Sequence, residues 1–295
     1  MTFRIWLSAS VTGAASALAI SLTSPAMAQE ITLEGISIFA TASGEADAFE
    51  FPGQVSVIGR EQIQDFVATR PSDVFQGVPG VVFTGGTRRA GQVPSIRGFT
   101  GDATLVLFDD ARQNFVSGHD GRFFLDPEIL VAAEVVKGPT SSIYGSGALV
   151  GVFAFRTINA EDILEPGQLA AVRFKTGYES VDREQSYSVT GVQMSESGAV
   201  DLVANLGYRT SGDVELGNST TLTDGNDLTS ALVKGSFKLG NGITWRNSWI
   251  YFDRADENAN NPQLNQGPDD GNLLVDRTAL SSTIQSKLEF NPSGN

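Results

Sequence analysis

Leu202-Val203-Ala204-Asn205-Leu206-Gly207-Tyr208-Arg209 is the stretch on which the fold turns. Leu202, Ala204, Leu206 and Tyr208 fall on one side of an extended chain, with Asn205, Gly207 and Arg209 on the other. That is the period of a β-strand whose two faces meet different surroundings. Outward from this stretch the pattern recurs. Val172-Arg173-Phe174-Lys175 places its apolar and charged residues on opposite sides, and Tyr187 with Val189 gives a weaker repeat. Val233, Phe237 and Leu239 oppose Lys234, Ser236 and Lys238. Trp245, Trp249 and Tyr251 share a face, and Ile284, Leu288 and Phe290 oppose Gln285, Lys287 and Glu289. Six strands are predicted, near 169–178, 186–194, 199–209, 230–239, 243–253 and 280–290.

Their connections sort by length. The second, fourth and sixth strands end in tight turns at 195–198, 240–242 and 292–294. The third and fifth lead into long polar segments, 210–229 and 254–279, and the segment after the first, 179–185, is intermediate. Short turns on one side and long loops on the other mark an outer-membrane barrel, short turns in the periplasm. A soluble β-sandwich has no need of this alternation. No apolar run after the N-terminus is long enough for a spanning helix, so residence in a membrane requires a barrel. Plugged transporters have about 22 strands. The six here are therefore the start of a barrel, and Asn295 is not expected to be the native end.

Upstream, residues 48–159 read as an α+β domain. Strands are predicted at Val55–Ile58, Val81–Thr84, Thr104–Phe108, Ala133–Val136 and Val150–Phe155. Arg60 to Phe66 reads as helix, and Ser72 as the N-cap of a short helix over Asp73–Gln76 that Gly77 ends. Asp126-Pro127-Glu128 has the cap, proline and first-turn acid of a helix start, predicting a helix to about Val131. Residues 29–47 form a Gly-, Ser- and Ala-rich leader. Within it Ile36-Ser37-Ile38-Phe39-Ala40-Thr41 has β-propensity and suits addition to another protein's sheet edge. The first 28 residues carry one charge, Arg4, an apolar stretch from Ile5 to Leu22, and Ala26-Met27-Ala28. These are the parts of a signal peptide cleaved after Ala28.

Composition narrows the function. Thirty-four acidic against 20 basic residues, net −14, leave no basic footprint for nucleic acid. Cysteine is absent, so neither disulfides nor thiolate metal sites explain the fold. The single histidine, His119, has no evident nucleophile or metal cluster beside it, so no catalytic residues are assigned and an enzyme has little support. Gly145-Ser146-Gly147 with Gly151 is not a dinucleotide loop, its spacing being one residue too long.

Three further stretches resemble the TonB-dependent receptor family. Pro71-Ser72-Asp73-Val74-Phe75-Gln76-Gly77-Val78-Pro79-Gly80-Val81 looks like its early plug motif, and Ile96-Arg97-Gly98-Phe99 matches its internal Arg-Gly motif. Val135-Val136-Lys137-Gly138-Pro139 followed by Ser141, Tyr144, Gly145, Gly147 and Ala148 matches its late plug signature. Found in this order between a signal peptide and alternating strands, they imply an α+β plug domain followed by the start of an antiparallel transmembrane β-barrel. The resemblance also implies a Gram-negative outer-membrane location among its lipids. It implies a TonB box at Ile36–Thr41 and a partner in TonB with its inner-membrane energising complex. About 20 residues between the cleavage site and the plug leave no room for an extra signalling domain.

Within the family, Leu105-Val106-Leu107-Phe108-Asp109-Asp110-Ala111-Arg112-Gln113-Asn114-Phe115, then Ser117-Gly118-His119-Asp120-Gly121-Arg122-Phe123-Phe124-Leu125-Asp126-Pro127, is similar to the haem and haemoglobin receptor branch. That similarity implies His119 on an apical plug loop as a ligand of haem iron, with haem a transported ligand and not a tightly bound cofactor. Read without the resemblance, a loop histidine is more often a surface residue that binds nothing. Lys137 stands where Arg is more usual, Asp110 where Gly is common, and Val150 where Gly is usual. The second haem ligand is expected beyond residue 295. Two other functions stay open: a ferric-siderophore receptor, and a surface protein that docks haemoproteins without import.

Overall fold

The computed structural model describes residues 53–84, 92–115, 123–261 and 273–291, with the backbone of two short strands, β1 (Ser37–Ile38) and β2 (Ala46–Asp47). The predicted signal peptide, most of the leader, the Gly118-His119 loop and the 292–294 turn lie outside the described residues. β1 and β2 pair antiparallel, Ser37 opposite Asp47 and Ile38 opposite Ala46.

The α+β region follows in order. It comprises β3 (Gln54–Gly59), α1 (Arg60–Asp65), α2 (Pro71–Val74), β4 (Val81–Thr84), β5 (Val93–Ile96), β6 (Thr104–Phe108), β7 (Ala111–Arg112), β8 (Leu130–Lys137), α3 (Ser141–Tyr144) and β9 (Gly151–Thr157). Five strands form one sheet in the order β3-β8-β9-β6-β7, with β6 and β9 parallel and the other pairs antiparallel. β6, β8 and β9 are buried almost residue by residue, so they appear in the sequence as apolar runs without alternation. β4 and β5 pair only with each other, so Pro94 is accepted in a strand that has no second neighbour. Phe75, Phe108, Phe123, Phe153 and Phe155 fill the core. Their rings meet edge-on, Phe75 with Phe153 at 5.3 Å and Phe123 with Phe155 at 5.4 Å.

Two predicted helices are corrected. Ser72 is not an N-cap: the helix runs Pro71–Val74 with Arg70 as its N-cap. Asp73 Oδ2 accepts from the N–H groups of Thr69 and Arg70, each at 3.0 Å, and Pro71 supplies the first-turn φ without needing an N–H. Ser72 instead binds Gln92 twice, its N–H donating to Oε1 at 3.0 Å and its Oγ accepting from Nε2 at 2.8 Å. The helix expected from Pro127 to Val131 is one 3-10 turn, Pro127–Ile129, and the chain is already strand at Leu130. The cap signal is real, since Glu128 N–H donates to Asp126 Oδ1 at 3.0 Å. It is spent on a single turn because β8, ordered between β3 and β9, satisfies its backbone on both sides.

The second part is a meander of β10 (Ala170–Glu179), β11 (Glu184–Met194), β12 (Val200–Ser211), β15 (Asn226–Gly240), β16 (Ile243–Ala259) and β17 (Leu274–Phe290). A small hairpin, β13 (Val214–Glu215) with β14 (Thr221–Leu222), sits within the connection after β12. Each long strand pairs antiparallel with the next, and among the described residues no closed barrel forms. The six predicted strands are present, but the last three are longer than predicted. The ladder continues through Asn226 opposite Asp256, Glu257 opposite Asp276 and Ala259 opposite Leu274. Crossing a bilayer takes about 9–11 residues of strand, so alternation marks only that stretch. Beyond it both faces turn polar while pairing persists. The intermediate connection shrinks to the turn at 180–183.

The faces are inverted relative to a soluble protein. Phe174 is 77% exposed and Ile284 78%, whereas Thr190, Asn205, Arg209, Ser230, Lys234 and Ser248 are buried. Trp245 and Trp249 keep their indole donors satisfied across the ladder, on Ser286 Oγ and Ser282 Oγ, each at 2.9 Å. Val192, Val203, Leu232 and Ile250 turn inward and complete the core of the α+β region. Among the described residues no helix is long and apolar enough to cross a membrane, which leaves crossing by strands untouched.

Candidate functional site

The plug motifs are turns and strand ends. Arg97 (φ 53°) and Gly98 (φ 87°) are the two central residues of a tight turn in which Ile96 and Phe99 exchange backbone hydrogen bonds at 3.0 Å. Both residues need positive φ, which Gly98 adopts without strain. Arg97 N–H donates to Gly80 O at 2.8 Å and its guanidinium to Gln54 Oε1. Lys137, at the end of β8, donates to Ser56 Oγ at 3.1 Å. The Arg-Gly motif and the late signature therefore meet on β3. Burial, then the nearby Arg97 charge, hold the Lys137 ammonium below its ordinary pKa. Gly138 N–H donates to Val150 O at 2.8 Å, fixing the chain into Pro139. Gly145 closes α3 through its N–H on Ser141 O at 2.8 Å, and Arg112 donates to Tyr144 O at 2.7 Å. The buried Tyr144 hydroxyl has no hydrogen-bond partner. Burial, with the Glu134 and Asp110 charges, pushes its pKa up to about 12.

A belt of charge that sequence reasoning did not assign joins the two parts. Arg209 of β12 lies between Asp126 and Glu184, with side-chain exposures of 7%, 2% and 2%. Its Nε and Nη2 reach Asp126 at 3.0–3.2 Å, and its Nη1 reaches Glu184 Oε1 at 3.0 Å. Ser230 Oγ donates to Asp126 Oδ2 at 3.1 Å. Gly207 makes room for this, because a Cβ there would lie 2.5 Å from Ser230 Oγ and 3.3 Å from Asp126 Oδ2. Burial alone would raise the Asp126 pKa, but the Arg209 charge and hydrogen bonds, with those from Glu128 N–H and Ser230, outweigh it and hold it low. Lys234 repeats the device on Asp109 at 3.1 Å, and Glu128 takes both Arg173 (3.0 Å) and Lys175 (2.6 Å). The signal that could have found the belt was the polar face of each strand, where Arg209 and Lys234 had to meet something. Among the described residues no cluster of three or more His, Cys, Asp or Glu is arranged to hold a metal ion.

The segment leading to His119 climbs the barrel wall. Asp109 and Asp110 form a two-residue hairpin turn with φ of 45° and 71°, so the turn survives Asp in place of the usual Gly. Lys287 binds Asp110 at 2.8 Å, Gln285 donates to Asp109 O, and Thr283 Oγ1 donates to Gln113 Oε1 at 3.4 Å. Phe124 then packs on Phe252, ring centres 6.0 Å apart, and Phe252 is in register with Ser281. Positions 287, 285, 283 and 281 step along one face of β17, away from the short-turn end. Phe115 and Phe124, on either side of residues 116–122, meet edge-on at 5.2 Å. His119 itself lies outside the described residues, as do Ile36 and Phe39–Thr41 of the expected TonB box.

An α+β domain bonded to the polar face of a meander whose other face is apolar has the architecture of a plugged outer-membrane receptor. Residues 47–152 match the family model of the TonB-dependent Receptor Plug Domain, so this part of the chain is such a plug domain. It is similar to the "Hemin receptor" of Yersinia enterocolitica, 29% identical over 253 residues, covering 85% of this chain and 36% of that one. It is also similar to "Heme/hemopexin utilization protein C" of Haemophilus influenzae, 35% identical over 161 residues, covering 55% and 22%. Among solved structures, the FrpB iron transporter from Neisseria meningitidis superimposes with a TM-score of 0.70 at 20% identity, covering 81% of this chain and 39% of that one. The Serratia marcescens hemophore receptor HasR, solved as a double mutant with HasA and heme, gives 0.64 at 23%, covering 71% and 32%. The matched part of the chain thus spans between 22% and 39% of the length of these receptors.

Proposed function

We propose that the chain is the plug-bearing part of a receptor that imports haem across the outer membrane with energy from TonB. The observation that carries this is the likeness to a hemin receptor along 85% of the chain, through the Gly118-His119 segment. In this reading residues 1–28 are the signal peptide, 29–47 the leader with the TonB box, 48–159 the plug and 160–295 the first barrel strands. Haem, free or delivered by a haemoprotein, binds over the plug apex with His119 on its iron. A TonB strand adds to Ile36–Thr41, and force from the inner membrane rearranges the plug to open a path. No covalent bond is made or broken.

Hemin titration of the intact receptor tests the ligand. A shifted Soret band with saturation is expected; no shift would favour a siderophore. Growth on haem as sole iron source is expected too, and its failure despite haem binding would leave a surface docking protein.

Two predictions follow from the leader. Mass spectrometry of the outer-membrane fraction should find the chain starting at Gln29, and intact Met1–Ala28 on most molecules would reject the signal peptide. Ile38→Pro removes the backbone donor of a residue already in extended pairing with Ala46. It should abolish uptake while leaving hemin binding unchanged; undiminished uptake would place the box elsewhere.

A further inference from the structure

We infer that Phe115 is a stacking platform for a flat aromatic ligand, holding the porphyrin by its face independently of the metal. This rests on the haem reading above and names a second contact within it. Phe115 is 51% exposed, so its ring keeps apolar surface that a ligand can cover. It is also held in place. Its ring meets Phe124 at 5.2 Å and 69°, and Phe124 meets Phe252 at 6.0 Å and 67°. Phe252 is 1% exposed and belongs to β16, so the chain of three rings ends in the barrel wall. Phe115 gives Phe124 an edge-to-face neighbour and keeps apolar surface free.

Its place along the wall fits this role. The segment from Asp109 has passed its last polar contacts to β17, ending with Gln113 on Thr283, before Phe115 is reached. Phe115 therefore lies two residues past the segment's bond to β17 and four positions before His119 in the chain. A pre-ordered ring loses little freedom when a planar ligand covers it, so burial and stacking are gained at small entropic cost. A porphyrin offers a large π-surface on each side of its metal. A siderophore, with its polar oxygen ligands turned around iron, offers none of comparable size.

Iron-free protoporphyrin separates the two contacts, because it stacks but cannot be ligated. In the intact receptor, Phe115→Ala should weaken hemin and iron-free protoporphyrin alike, by roughly tenfold, with the hemin Soret position unchanged. Phe115→Trp should retain both affinities and Phe115→Leu, which keeps apolar bulk, should not. Thermal unfolding of the variants should match the parent, since the ring is half exposed. Unchanged protoporphyrin binding in Phe115→Ala, or full recovery with Leu, would overturn the inference. Parent receptor that binds hemin while Phe115→Ala changes nothing rejects the platform alone. Parent receptor that binds no hemin rejects the haem reading and the platform with it.

Discussion

Arg209→Met in the intact receptor is expected to weaken the hold of barrel on plug by about 3–5 kcal/mol, the cost of stranding buried carboxylates without their cation. Asp126 and Glu184, with side-chain exposures of 2%, would both lose the guanidinium that lies between them. The measurements are the denaturant midpoint of the purified receptor and the sensitivity of cells to antibiotics too large for ordinary porins. Both should change: a lower midpoint and greater sensitivity. Adding Asp126→Asn and Glu184→Gln to the variant should restore most of the loss, because neutral partners no longer need a counter-charge. Arg209→Lys should fall between, since one ammonium cannot offer the forked donors that span two carboxylates. A midpoint unchanged in Arg209→Met would mean the triad does not couple the two parts. The acid limb has a definite sign. The folded Asp126 pKa is depressed, so its stabilisation is complete above the unfolded value of about 4 and is lost as pH falls through the lower folded one.

His119→Ala is expected to change the spectrum of bound hemin more than the amount bound. If imidazole is one axial ligand of two, its removal converts a low-spin, doubly ligated iron into a singly ligated one and moves the Soret band. Affinity should fall only partly, because apolar walls still bury the porphyrin and a second ligand still holds the metal. Iron-free protoporphyrin should bind this variant as it binds the parent. A low-spin spectrum that survives the substitution unchanged would remove His119 from the iron.

What the sequence allowed to be read, and what it hid, follow one division. Val81–Thr84 and Thr104–Phe108 were bounded correctly because turn residues flank short β-branched and apolar runs. The barrel strands were found wherever lipid-facing residues such as Leu206 or Ile284 alternate with polar ones, and were cut short where Asp256 and Arg277 continue the ladder without an apolar face. Leu130 and Val131 read as helix because a sound helix-start signal at Asp126-Pro127 precedes a strand whose burial on both sides leaves no period. The site divides the same way. Arg97 and Lys137 lie in local motifs and were assigned, while their meeting on β3 depends on sheet order. Arg209 could be seen to face inward, but not to face Asp126, because nothing local links the two positions.

That last distance has a kinetic consequence. The bonds from plug to wall join residues 83, 104, 125 and 177 positions apart: Arg209 to Asp126, Ser230 to Asp126, Lys234 to Asp109 and Lys287 to Asp110. Closing such loops adds entropy only logarithmically with length, yet contacts of high sequence separation are the slow ones to form. Within the plug's sheet β6 with β9 joins residues 47 positions apart and β8 with β9 at most 27, so these strands close sooner, although β3 with β8 spans up to 83. On this ground the bonds to the wall, most of them longer in range than any pairing within the plug, are the later ones to form. Interactions that engage after the barrier govern how long the finished object lasts more than how fast it is built, so loss of Arg209 should appear chiefly as faster unfolding.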